Sequence, residues 1–102
     1  MREYMMSIIR LIYIKIAPEE SDEAMALWKT ECAPLMIKQK GCISEKLLKA
    51  TDHPGEYISY SEWESQEDIE NYRKSEDHRE IVTHAMRLKG AQAEVRCYEL
   101  VG

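Results

Sequence analysis

The sequence predicts an α+β fold with its elements in the order β-α-β-β-α-β. Three observations carry this reading. Four segments, near residues 8–16, 42–50, 56–64 and 93–101, are rich in strand-forming residues. Two stretches between them carry apolar residues at helical spacing. Turn and capping signals fall at the junctions.

The first strand, Ile8 to Ile16, reads Ile-Ile-Arg-Leu-Ile-Tyr-Ile-Lys-Ile. Ile8, Ile12, Ile14 and Ile16 alternate with Ile9, Leu11 and Tyr13, so both faces are apolar and both require cover. Ala17-Pro18 ends the strand. Glu19, Glu20, Asp22 and Glu23 suit the positive end of a helix. Ala24, Met25, Leu27, Trp28 and Cys32 give that helix one broad apolar face. Pro34 predicts either a kink or a new short helix beginning there. Lys38, Lys40 and Gly41 supply cations in the last turn and a glycine stop.

Cys42 to Ala50 is the second strand, with Glu45, Lys46 and Lys49 making it polar. Thr51-Asp-His-Pro-Gly55 is a turn cluster. Glu56 to Glu64 is the third strand, forming a hairpin with the second. Ser65-Gln-Glu-Asp68 has the form of a capping box, with Asp where Glu or Gln is the better fit. Ser75 is a second N-cap, giving helical segments from Gln66 to Lys74 and from Glu76 to Lys89, closed by Gly90. Ala93 to Val101 is the last strand.

This order is the ferredoxin-like pattern, a four-stranded antiparallel sheet with helices on one face. The helices leave the other face of the apolar first strand bare. A second copy packing sheet to sheet would cover it, giving a homodimeric α+β barrel. The chain is read as an unstructured leader over residues 1–7 and one domain over residues 8–102. Met1, Met5 and Met6 all stand as possible starts.

At 102 residues the chain is too short for a (β/α)₈ barrel, which needs roughly 250. The net charge of −5 disfavours nucleic acid, whose phosphates require a basic face. No apolar run is long enough to span a membrane, and no signal peptide is evident. The three cysteines, Cys32, Cys42 and Cys97, form no C-x-x-C pair and predict reduced thiols and a cytoplasmic location. Cys42 and Cys97 read as small core residues.

Several residues carry a family resemblance. They are the opening strand, the Gly41-Cys42 exit and the Asp52-His-Pro-Gly55 turn. The densest stretch is Tyr60-Ser-Glu-Trp63-Glu-Ser-Gln-Glu-Asp-Ile69-Glu-Asn-Tyr72, followed by Ser75-Glu-Asp-His78. From about Ile8 to Val101 the chain resembles the antibiotic biosynthesis monooxygenase (ABM) family of dimeric α+β barrels. The resemblance implies a small cavity between sheet and helices. It implies a cofactor-independent monooxygenase, acting with O₂ on quinol-like or anthrone-like aromatics without metal or flavin. The expected partners are a small-molecule substrate, O₂ and a second copy of the chain.

The departures from the family pattern define the alternatives. Polyketide-type members pair the strand-end Trp with an Asn four residues before it and a Tyr six after it. Around Trp63 those places hold Ser59 and Ile69. Haem-degrading members carry Asn, Trp and His where this chain has about Ile9, Tyr72 and Val82. Many quinol-type members carry His at the place of Tyr72. A non-oxygenase binding or isomerase-type barrel is therefore the rival reading, and haem degradation is a weaker third.

Cofactor-free oxygenation needs a base, a donor for the developing oxyanion and an apolar cavity. His78 and His84 are the candidate bases, with Tyr72 beside them as a catalytic candidate. Six residues apart on one helix, the two histidines face nearly opposite ways, so at most one meets a pocket. His78 stands at a helix start, where the dipole lowers its pKa. For either, a surface or satisfied core histidine is the competing reading. Trp63, Tyr72, Ser59 and Ile69 are the candidate substrate-binding residues, against a plain core role for the aromatics. Arg10, in an otherwise apolar strand, calls for a carboxylate partner or else holds an anionic substrate; the ion pair is the favoured expectation. His53 reads as a solvated turn residue. No metal site is expected.

Overall fold

The computed structural model describes residues 7–85 and 91–101. Apart from Ser7, the expected leader lies outside the described residues, as do residues 86–89 of the expected last helix and its Gly90 stop. The strands are β1 (Ile8–Lys15), β2 (Cys42–Lys49), β3 (Glu56–Trp63) and β4 (Gln92–Glu99). They form one antiparallel sheet in the order β2-β3-β1-β4. This is the ferredoxin-like arrangement, with β1 in the centre where its apolar sequence places it.

The first helical region is segmented. A 3₁₀ turn (Pro18–Glu20) leads into α1 (Ser21–Leu27), a π-helical turn (Trp28–Cys32) and α2 (Ala33–Ile37). Pro34 lies in the first turn of α2, where its missing N–H costs nothing. The wide π turn absorbs the carbonyl that the proline ring would otherwise strike. Both expectations for Pro34 meet in this one device.

The second region comprises α3 (Gln66–Arg73) and α4 (Glu76–Ala85). Ser65 caps α3 by accepting from the Asp68 N–H at 3.1 Å, and Ser75 caps α4 by accepting from the His78 N–H at 3.1 Å. Asp68 is too short to complete the reciprocal box through the Ser65 backbone. It accepts the Ser65 hydroxyl instead, at 3.0 Å.

Alternation along β3 places Tyr57, Ser59, Ser61 and Trp63 against the helices, all buried. The two aromatics nucleate two separate core clusters. One joins Trp63, Met36, Ile69 and Tyr72. The other joins Tyr57, Ile16 and Ala24. The serines between them are too small to reach the helix layer, and a gap remains there.

The opposite sheet face carries Ile9, Leu11 and Tyr13 of β1, Ile58 and Tyr60 of β3, and Leu48 and Tyr98. No helix covers it. Tyr13, Leu48 and Tyr98 are exposed. β4 is exposed along its whole length, so Cys97 is not the core residue expected. Among the described residues, α2 packs on β2 and α3 on β3.

Candidate active site

The gap between the two clusters is a cavity of about 530 Å³ between the sheet and the helices. Its sheet wall includes Arg10, Ile12, Ile14 and Ser59; its helix wall includes Met25, Trp28, Cys32, Tyr72, His78 and Ile81. Val95 of β4, half exposed, marks its open side. The walls are mainly apolar; Gln92 stands at the Lys15 end, while Arg10, Tyr72 and His78 gather at the other.

Tyr72 is buried on α3 and forms the centre of this end. Trp63 stacks on it from behind, with ring centroids 5.2 Å apart and 28° between planes. The Trp63 indole N–H donates to the Ser61 hydroxyl at 2.8 Å, which fixes the ring. His78 meets Tyr72 edge-on at 5.0 Å and 85°. The Arg10 guanidinium lies 5.8 Å from the centre of the same ring. Three side chains, from β1, β3 and α4, thus converge on the Tyr72 ring of α3.

The environment sets their protonation. Burial pushes the Tyr72 hydroxyl up to about 12, so it stays a donor near neutrality. Burial, with the nearby Arg10 and Arg73 cations, lowers His78 below its ordinary value and favours the neutral imidazole. The direction matches the sequence expectation, but burial is the leading cause. Burial raises the Cys32 thiol to about 11, helped by Glu31 and Glu80, so it is not a thiolate at neutral pH.

Of the residues singled out from sequence, Tyr72, His78 and Ser59 line the cavity. Trp63 and Ile69 are fully buried behind Tyr72 and do not reach it. His84 lies outside it. Its Nε2 stands 3.7 Å from a Glu31 carboxylate oxygen and 3.8 Å from one of Glu80. His53 is exposed in its turn, 2.8 Å from Asp52. The expected ion pair of Arg10 is not formed: among the described residues no carboxylate lies within 4.0 Å of it, and its buried Nε has no hydrogen-bond partner. A second, larger hollow of about 690 Å³ at the Tyr13–Lys15 end of the sheet collects no comparable group of side chains.

Sequence reading did not assign Met25, Trp28 and Cys32 to the cavity wall, although their helical spacing was visible. The signal that would have located the cavity is the pattern Tyr57-x-Ser59-x-Ser61-x-Trp63, a small-residue gap in a buried row.

The sequence profile of the family described as antibiotic biosynthesis monooxygenase matches residues 7–84. No curated protein sequence matches the chain. Among solved structures, a candidate antibiotic biosynthesis monooxygenase from Bordetella bronchiseptica superposes with a TM-score of 0.83 at 19% identity, covering 96% of this chain and 100% of that one. A conserved protein from Methanosarcina mazei Go1 gives 0.81 at 21% identity, with 92% of each chain covered. SnoaB, a cofactor-independent oxygenase from Streptomyces nogalater, gives 0.76 at 15% identity, with 94% of each covered. At these identities the likeness establishes the fold alone.

Proposed function

The chain belongs to the antibiotic biosynthesis monooxygenase family, and we propose that it is a cofactor-independent monooxygenase acting on a small quinol-like or anthrone-like aromatic. The observation that carries this reading is the Tyr72–His78 contact at the polar end of an otherwise apolar cavity. Neutral His78 takes a proton from the substrate. The Tyr72 hydroxyl donates to the oxyanion that forms. The apolar walls exclude water and accept a planar ring. The electron-rich anion then reacts with O₂ directly. For an anthrone, the CH₂ becomes C=O with one oxygen atom from O₂, and the other leaves as water. The substrate supplies all four electrons, so no external reductant enters the balance.

We further propose that two copies pair through the bare sheet face, burying Ile9, Leu11, Tyr13 and Tyr98. An apolar face of this kind is uncommon on a monomer. The second reading is a barrel that binds or isomerises a small molecule without O₂. Ser59 and Ile69, standing where polyketide-type members carry Asn and Tyr, favour it. Haem degradation is the third, and a haemin titration without a Soret shift removes it.

The test is oxygen uptake by the purified protein, without added metal or flavin, against hydroquinones, naphthoquinols and anthrones. The expected result is uptake above the autoxidation blank that falls in His78→Ala and Tyr72→Phe. Uptake equal to the blank across the panel would favour the non-oxygenase barrel.

A further inference from the structure

We propose that the cavity takes its ligand as an aromatic oxyanion, a carboxylate or an ionised hydroxyl, with the Arg10 guanidinium as its counter-ion. This rests on the reading of the cavity as a substrate site. Arg10 is only 3% exposed and lines the cavity. Its cross-strand neighbours are Ser61 on β3 and Cys97 on β4, neither a carboxylate. Among the described residues its buried Nε has no partner. Glu45 stands opposite Ser61 on the next strand, but its own buried Oε2 is also unpartnered, so the two do not satisfy one another.

An arginine does not escape this situation by losing its proton. A buried, unpaired cation is costly, and the Tyr72 face offsets only part of that cost. His78 adds no compensation, because Arg10 itself favours its neutral form. The missing charge is negative, and the place for it is the cavity. Ile12, Ile14, Met25, Trp28 and Val95 surround the rest of the space with apolar surface. That lining fits an aromatic body with its oxyanion at the Arg10–Tyr72–His78 end.

The experiment compares 1-naphthoate with its methyl ester by calorimetric titration of the wild-type protein. In parallel, 4-nitrophenol is titrated against pH with saturating protein, since only its phenolate absorbs in the visible. The acid is expected to bind at least about tenfold more tightly than the ester, a margin expected of a desolvated charge pair. Alternatively or in addition, the apparent pKa of bound 4-nitrophenol is expected to fall. The first result alone assigns a carboxylate ligand, the second alone an ionised hydroxyl, and either supports the proposal. Arg10→Met should abolish both effects, and Arg10→Lys should retain part of them. Equal binding of acid and ester with no shift of 4-nitrophenol would overturn the role of Arg10 and leave the cavity reading standing. Binding of none of the three would overturn both. The wild-type comparison decides the matter even if a variant fails to fold.

Discussion

Trp63 and Tyr72 stack at 5.2 Å, yet only Tyr72 reaches the cavity. The two aromatics therefore divide support from chemistry, and substitution should separate them. Tyr72→Phe keeps the stacked ring and removes the hydroxyl. Its stability should stay within about 1 kcal/mol of wild type, while kcat/KM falls roughly 10- to 100-fold. Trp63→Phe removes the indole donor to Ser61 and leaves a gap in a fully buried site. It should lose about 2 kcal/mol or more of stability. Thermal melts and oxygen-uptake kinetics on both variants check the division, and an unchanged kcat/KM in Tyr72→Phe would remove it from the mechanism.

His78 should impart a pH dependence of known sign. Its folded pKa lies below the unfolded value of about 6.5, so the unfolded state binds more protons in that window. Stability from this group is intact above pH 6.5 and declines as pH falls toward the folded pKa. The active neutral form persists over the same range, so the acid limb of kcat/KM should lie below pH 6.5. Arg10→Gln removes a nearby cation that disfavours the protonated ring. The folded pKa should then rise, and the acid limb should move up with it. An NMR titration of the His78 ring reads both values without turnover. An unmoved His78 pKa in the variant would show that burial and Arg73 depress it without Arg10.

The fold was legible because its signals are local. The β-branched run of β1, the serine caps of α3 and α4, and the glycine stop at Gly41 each act within a few residues. The site was legible only in part, because it depends on which groups meet across the sheet–helix interface. Helical spacing separated His78 from His84, and the structure places His78 on the cavity and His84 between Glu31 and Glu80. It could not show that Trp63 stands behind Tyr72, since burial depth is set by the packing of α2 and α3. Arg10 misled for a physical reason. Buried arginines ordinarily find carboxylates, and one that lines a cavity is the exception that a one-dimensional pattern does not mark.

The bare sheet face predicts association. Light scattering on a sizing column should give about twice the 12.0 kDa chain mass at micromolar concentration. Leu11 lies between Tyr60 and Arg96 on that face, away from the helix-side core. Leu11→Asp should therefore leave the monomer fold intact while breaking the dimer, because it puts charge into a dry interface. Arg96 beside it limits the cost in the free monomer. A wild-type protein that runs as a monomer would defeat the barrel assembly. A dimeric Leu11→Asp variant would move the interface elsewhere.

Gly41 ties the turn before β2 to the start of α3, and its substitution should disturb the site from a distance. Its φ of 86° is one that residues with a Cβ rarely adopt. A Cβ there would also stand 2.2 Å from Asp68 Oδ2 and 2.6 Å from Asp68 Cβ. Gly41→Ala should cost about 2 kcal/mol or more, from backbone strain and the clash together. Asp68→Ala on that background should recover only the part owed to the carboxylate, because its own Cβ still collides. Asp68→Gly should relieve the whole clash but cost roughly 1 kcal/mol of helix propensity. The backbone strain at residue 41 should survive in both double variants, so neither reaches wild-type stability. The Gly41 carbonyl accepts from the Glu64 N–H at 2.8 Å, directly after Trp63. Any shift of this turn thus passes to the indole that supports Tyr72. Chemical denaturation of the double-mutant cycles measures the coupling, and strict additivity would show that the turn moves aside without pressing on Asp68.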